Sequence, residues 1–207
     1  MKIVGILLAA GESKRYKGNK LVALHESGLP LVRYCATQLT NAFLSRSYVV
    51  TGRWHSEIVG VMRHGTTEKN TSVQDVQLTY NPQWYEGMGT SLRWGVQQAL
   101  AAYSDITHVL VTLGDLAKVT DDHLTMLLRA SESNPTKLIC SCWQSNGERR
   151  YTVPAIFPAN AFPALLALTG DMGAKSVIRQ WRNTNDVIGV SLPEAEFDID
   201  TPSDWQK

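Results

Sequence analysis

Ile3-Val4-Gly5-Ile6-Leu7-Leu8-Ala9-Ala10-Gly11-Glu12-Ser13-Lys14-Arg15-Tyr16-Lys17-Gly18-Asn19-Lys20 is the stretch that decides the fold. Its first half is an almost unbroken apolar, β-prone run, the pattern of a strand buried on both faces of a parallel sheet. The run breaks at Ala9-Ala10-Gly11, where two tiny side chains and a glycine let backbone N–H groups come close to a phosphate. Arg15, Lys17 and Lys20 then supply positive charge. Strand, glycine turn and cations together predict a loop that grips a triphosphate. A loop made basic by solvation alone would account for the charges but not for the Ala-Ala-Gly ahead of them. Spacing excludes two familiar phosphate loops. A P-loop needs a second glycine five residues after the first and a Ser or Thr after its lysine, but Tyr16 follows Gly11 at that distance and Leu21 follows Lys20. A dinucleotide fingerprint needs a glycine where Ser13 stands.

Working outward, strands and helices alternate. Apolar positions recur at helical spacing from Leu31 to about Leu44, after Pro30. A short β-branched strand is expected at Tyr48–Gly52, a helix at His55–Arg63, a turn-rich surface loop at Gly65–Gln74 and a strand at Val76–Tyr80. The helix from about Gly89 to Tyr103 carries apolar residues at four-residue steps, and His108–Leu113 is a second intensely apolar strand. Asp121-Asp122 opens a helix through Leu128, with Thr120 or Asp121 as its cap. Strands follow at Leu138–Trp143, Val153–Phe157 and Val187–Val190, with helices at Ala161–Leu168 and Ala174–Trp181. Such alternation implies β-α-β units, hence an α/β three-layer sandwich with a mostly parallel sheet and helices on both faces. In that architecture ligands collect at the carboxyl ends of the strands. The rule places Gly11–Lys20, Asn81–Ser91 and Gly114-Asp115 on one edge.

At 207 residues the chain is expected to form one domain, 1–207. With 43% hydrophobic and 19% charged residues and a net charge of +1, the composition is that of an ordinary globular protein. So small a net charge excludes nucleic-acid binding driven by bulk electrostatics, and any anionic ligand must be gripped locally. The odd number of cysteines, Cys35, Cys140 and Cys142, reads as reduced buried thiols rather than a disulfide framework or zinc site. No apolar stretch approaches a membrane span, and the amino terminus lacks a secretory pattern, so a cytoplasmic location is expected. His25, His55, His64, His108 and His123 show no metal-ligand spacing with any cysteine, and none is assigned to catalysis.

Two acidic positions carry chemistry. Asp115 directly follows an apolar strand, at the ligand edge rather than in solvent, and its expected role is a magnesium ligand. In Asp198-Ile199-Asp200-Thr201-Pro202-Ser203-Asp204 the first two acids share one side of an extended segment. From pattern alone, a solvated tail opening a helix explains them as well as a ligand role does.

Leu8-Ala9-Ala10-Gly11, Ser13, Arg15 and Lys20 resemble the L-A-A-G-x-S-x-R-x-x-G-x-x-K signature of nucleotidyltransferases that make nucleoside-diphospho-sugars and dinucleotide forms of the molybdenum cofactor. Asp198-Ile199-Asp200-Thr201-Pro202 is similar to the family's carboxy-terminal motif, in which Asp200 takes the place of a second metal-binding acid. Three stretches resemble one branch, the molybdenum-cofactor cytidylyltransferases and their MobA-like relatives. These are Asn81, Trp84, Glu86-Gly87-Met88 and Ser91; Val153–Phe157; and Leu168-Thr169-Gly170-Asp171-Met172-Gly173-Ala174. Two departures stand out: Gly114-Asp115-Leu116-Ala117 replaces the usual G-D-Q-P, and Thr152-Val153-Pro154 replaces G-H-P.

The resemblance implies a Rossmann-like nucleotide-diphospho-sugar transferase fold and transfer of a nucleoside monophosphate, CMP favoured, from a triphosphate to a phosphate acceptor, most readily molybdopterin, with release of pyrophosphate. It implies nucleotide contacts from Leu8, Ala9, Ala10, Gly11, Arg15, Lys20 and Ser91, acceptor contacts from Asn81, Gly87, Gly170 and Asp171, and Mg2+ held by Asp115 and Asp200. Catalysis falls to Lys20, Arg15 and Asp115 through orientation and electrostatic stabilisation. CTP and a molybdopterin-like acceptor are the expected partners, with a molybdoenzyme maturation protein as a further one, and neither nucleic acid nor membrane. The alternatives are a sugar-phosphate acceptor, or a catalytically weak nucleotide-binding accessory protein, motivated by the altered neighbours of Asp115. Lys20, as a loop residue, is expected to matter for turnover and little for folding.

Overall fold

The structure, a computed structural model, describes residues 1–42, 44, 46–63 and 76–206. His64 and the loop expected at Gly65–Gln74 lie outside the described residues. Strands β1 (Ile3–Ala9), β2 (Ser47–Thr51), β3 (Val76–Tyr80), β4 (His108–Leu113), β5 (Leu138–Ser145), β6 (Glu148–Pro158) and β7 (Val187–Ser191) form one sheet in the order β3-β2-β1-β4-β6-β5-β7. Only β6 runs against the others, pairing antiparallel with both β4 and β5. The sheet is therefore mostly parallel, as the alternation of elements predicts.

The helices are α1 (Leu31–Asn41), α2 (His55–Arg63), α3 (Met88–Ala102), α4 (Asp121–Ser133), α5 (Phe162–Leu166) and α6 (Ala174–Arg182). Alternate side chains of the central strands supply two cores. Val4, Ile6, Val109 and Val111 pack with α3, α5 and α6, while Leu7, Val49, Leu110 and Ile139 pack with α1, α2 and α4. Burial on both faces is why β1 and β4 read as continuous apolar runs. No helix of the described residues is long and apolar enough to cross a membrane.

Register fixes where the turns emerge. Leu8 pairs with Leu113 and Ala9 with Thr51, so β1, β2 and β4 end side by side and the turns after them share one edge. Asn146 (φ 52°) and Gly147 (φ 78°) form a two-residue hairpin turn between β5 and β6, because both positions need the left-handed region that Asn and Gly tolerate. Its backbone pairing extends β6 back to Glu148, well before the apolar start at Val153, across Glu148, Arg149 and Arg150, whose exposed side chains give no hydrophobic signal. The first helix ends at Asn41 instead of Leu44. The helix expected at Ala161–Leu168 is the short α5, preceded by a 3-10 turn. At α4 the Thr120 N–H donates to His123 Nδ1 at 3.1 Å, so His123 serves the helix start.

The carboxy-terminal segment returns to the ligand edge. Leu116 and Asp198 form an antiparallel bridge, the Ile199 N–H donates to the Asp115 carbonyl at 3.0 Å, and the buried Ile199 side chain plugs the second core.

Candidate active site

The glycine loop after β1 and Asp115 after β4 both emerge from strand ends. After β1 the loop turns sharply, with Ser13 (φ 55°) and Lys17 (φ 56°) both in the left-handed region. Neighbours hold it there. The Arg53 N–H donates to the Ala10 carbonyl at 3.3 Å, Trp54 Nε1 donates to the Glu12 carbonyl at 3.2 Å, and Trp205 Nε1 donates to the Tyr16 hydroxyl at 3.1 Å. Asn19 Oδ1 accepts from the Leu21 N–H at 3.1 Å, starting the 3-10 turn Lys20–Val22 that carries Lys20 inward. A loop with two left-handed positions, held by two other segments, is pre-organised rather than merely solvated.

Lys20 is the hub. Its Nζ lies 2.7 Å from Asp115 Oδ2 and 3.3 Å from Asp200 Oδ1, and Arg15 Nη2 lies 2.7 Å from Asp200 Oδ2. Two cations and two carboxylates thus close a neutral cluster from residues up to 185 positions apart. Asp204 sets the angle of Asp200, its Oδ2 accepting from the Asp200 N–H at 3.0 Å and the Thr201 N–H at 2.6 Å. Burial works against the Lys20 ammonium, but Asp115 and Asp200 outweigh it and hold its pKa above the ordinary lysine value. Burial pushes the Asp115 carboxyl up, against the pull of Lys20. Asp115 Oδ1 is buried and finds no hydrogen-bond partner among the described residues. Leaving a buried carboxylate oxygen unsatisfied is costly, so this atom is suited to take up a cation or a hydrogen-bond donor. Because Lys20 is only 8% exposed, the expectation that it matters little for folding is revised.

The cluster forms the floor of a cleft of about 500 Å³, a volume suited to a small ligand. Leu8, Ala9, Ala10, Gly11, Arg15, Lys20, Gly87, Ser91, Asp115, Asp171 and Asp200 all line it. Asn81 does not. It is buried beneath the wall, where its Nδ2 donates to Ser91 Oγ at 3.0 Å and its Oδ1 accepts from the Gln83 N–H at 3.0 Å, so it orients Ser91. Gly170 also lies outside the lining, its carbonyl accepting from the Gly89 N–H at 2.8 Å. Gly87, at φ +120°, has no room for a side chain, since a Cβ there would collide with Asp171 and Gly170. That close approach joins the turn before α3 to the turn before α6 and brings Asp171 to the cleft. Sequence reasoning assigned no site role to Asp198 or Glu86, which also line it. Asp198 shares a face with Asp200, which is the signal that marks it.

The lining carries six acids (Glu12, Glu86, Asp115, Asp171, Asp198, Asp200) against three cations (Lys14, Arg15, Lys20). Such a cleft repels a bare polyanion. The altered neighbours of Asp115 have structural work: Leu116 is buried in the second core, and the Ala117 carbonyl accepts from His25 Nε2 at 3.0 Å.

Comparison with known proteins agrees with this fold. The family model described as the MobA-like NTP transferase domain matches residues 5–186. The purine catabolism protein PucB of Bacillus subtilis (strain 168) is 26% identical over 210 residues, covering 98% of this chain and 94% of its own. A nucleotidyl transferase from Methanothermobacter thermautotroptrophicus superposes with a TM-score of 0.77 at 18% identity, over 99% of this chain and 94% of that one. Rv0371c from Mycobacterium tuberculosis H37Rv, in complex with manganese, gives a TM-score of 0.67 at 19% identity, over 100% and 97%.

Proposed function

Because the chain belongs to the MobA-like NTP transferase family of nucleotidyltransferases, we propose that it transfers CMP from CTP to the terminal phosphate of a molybdopterin-like acceptor and releases pyrophosphate. The observation that carries the reading is the Lys20 hub, one ammonium gripped by Asp115 and Asp200 beneath a glycine loop. An oxygen of the acceptor phosphate attacks the α-phosphorus in line. The bond from that phosphorus to the oxygen bridging to the β-phosphate breaks, and pyrophosphate departs with the electron pair.

The protein's own work is exchange of partners. Lys20 and Arg15 turn from the carboxylates to the incoming phosphates, which frees Asp115 and Asp200 as the residues that would hold a divalent cation. The donor set fits a divalent ion: two carboxylates, one with a buried oxygen awaiting a ligand, suit a hard cation that keeps waters and substrate phosphates as its other ligands. When bound, magnesium screens the triphosphate and stabilises charge developing at the α-phosphorus. The manganese complex of the mycobacterial neighbour supports divalent metal use. The backbone N–H of Gly11 and the Lys20 ammonium position the phosphates, Ser91, oriented by Asn81, reads the base, and Gly87 with Asp171 borders the acceptor. The likeness to a purine catabolism protein supports service to purine breakdown.

The test follows the label. With CTP carrying an isotope at the α-phosphate, the label should pass to molybdopterin in a cytidine dinucleotide identified by mass. Label recovered only in free CMP, or transferred equally well from all four triphosphates, contradicts the assignment.

A further inference from the structure

Three of the four carboxylate oxygens of Asp115 and Asp200 are held by cations of the chain itself. Lys20 Nζ takes Asp115 Oδ2 at 2.7 Å and Asp200 Oδ1 at 3.3 Å, and Arg15 Nη2 takes Asp200 Oδ2 at 2.7 Å. The fourth oxygen, Asp115 Oδ1, is buried with no hydrogen-bond partner among the described residues. Two acids suited to a divalent cation are thus already neutralised by the chain's own side chains.

The two cations differ in their freedom to leave. The Arg15 side chain is 72% exposed and swings into water at little cost. Lys20 is buried, and its backbone is fixed in the 3-10 turn Lys20–Val22, whose cap Asn19 accepts from the Leu21 N–H and donates from Nδ2 to Glu57 Oε2 at 3.0 Å. Its ammonium opens onto the cleft that it lines. A divalent cation arriving alone must either sit beside that ammonium against Coulomb repulsion or push it off the carboxylates and leave a buried charge unpaired, and both are costly. A triphosphate entering the cleft removes the obstacle, because its oxygens replace the carboxylates as partners of Lys20 and Arg15.

We infer that Lys20 and Arg15 form a latch on the metal site: they withhold Asp115 and Asp200 from a divalent cation until a triphosphate draws them away, so cation and triphosphate bind with positive coupling. The inference rests on the transfer reading and adds to it the order in which the site assembles. Linkage makes the coupling reciprocal, so the cation must strengthen triphosphate binding by the same factor. When pyrophosphate leaves, Lys20 loses its phosphate partner and returns to the two carboxylates, which closes the latch for the next cycle.

Manganese(II) is the probe, because the sharp electron paramagnetic resonance signal of the free ion is lost on binding to protein. It should bind the nucleotide-free wild type weakly. Lys20→Met, which removes the ammonium and keeps an apolar stem, should bind it at least about tenfold more tightly, within the usual range of coupling between sites. Arg15→Gln should tighten binding by less, and its exposed position keeps the test open if Lys20→Met does not fold. Adding Asp115→Asn to either variant should abolish the gain, which places the ion at the latch. Calorimetry should show the wild type binding CTP at least about fivefold more tightly with manganese than in chelator. Wild-type manganese affinity in folded Lys20→Met, or in Arg15→Gln where that is the variant that folds, overturns the inference. So does a gain that survives Asp115→Asn, or a CTP affinity indifferent to manganese. If the latch behaves as expected but no acceptor supports pyrophosphate release, the transfer reading fails and the latch stands.

Discussion

Removing the Lys20 ammonium should cost stability as well as turnover, and the cost can be worked from the structure. The side chain is 11% exposed, 2.7 Å from Asp115 and 3.3 Å from Asp200. Breaking a fully buried pair by deleting one partner costs about 3 to 5 kcal/mol. Here Asp115 keeps some solvent contact and Arg15 still holds Asp200, so about 1 to 3 kcal/mol, the penalty of one poorly satisfied charge, is expected for Lys20→Ala. In a chain of this size that lowers Tm by about 2 to 12 °C. The pH dependence has a definite sign. Burial already raises the Asp115 carboxyl, and without Lys20 it rises further. A carboxyl whose folded pKa exceeds its unfolded value binds more protons folded than unfolded, so stability falls as pH climbs from the unfolded value through the folded one. The deficit of Lys20→Ala should therefore be full at neutral pH and shrink in acid. Adding Asp115→Asn should restore much of the loss, because it removes the stranded charge. Denaturant melts of the two single variants and the double, at neutral and acid pH, measure this. A Lys20→Ala protein as stable as the wild type at neutral pH, or no recovery from Asp115→Asn, refutes the reasoning.

Other expectations follow from single contacts. On the proposal that both acids serve one ion, Asp115→Asn, Asp200→Asn and the double variant should lose pyrophosphate release to similar extents; losses that multiply would separate them. Ser91→Ala should cut discrimination for CTP by about 1 to 3 kcal/mol, and Asn81→Ala should reproduce the effect through Ser91 Oγ, both read from catalytic efficiencies across the four triphosphates. Native protein should resist thiol reagents, because all three cysteines are buried and burial pushes the Cys140 thiol up to about 12; three thiols should react only after unfolding. Burial lowers the His108 pKa, so stability should drop as pH falls below the ordinary histidine value, and His108→Gln should flatten that slope in denaturant melts.

Much of the fold is written locally. Strands β3 and β4 and helix α2 match their expected limits, because period and burial coincide there. The start of β6 is hidden, since Glu148, Arg149 and Arg150 pair through backbone while their side chains face solvent. The legible clue is Asn146-Gly147, a hairpin turn by residue type. In the site, motif positions identify Lys20, Asp115 and Asp200, but not that they already grip one another. That contact depends on Leu116 bridging Asp198 and on Ile199 entering the core, long-range pairings with no local pattern. Asn81 shows the same limit: its place in a motif singles it out, and only packing reveals that it holds Ser91 from beneath the cleft wall.

Pyrophosphate release by the purified protein tests the central claim most directly. With CTP, magnesium and a panel of molybdopterin, sugar phosphates and alditol phosphates, release should depend on an acceptor, be greatest with molybdopterin and vanish in Asp115→Asn. Protein that binds CTP and magnesium yet releases no pyrophosphate with any acceptor would contradict the account and leave a nucleotide-binding accessory protein in its place.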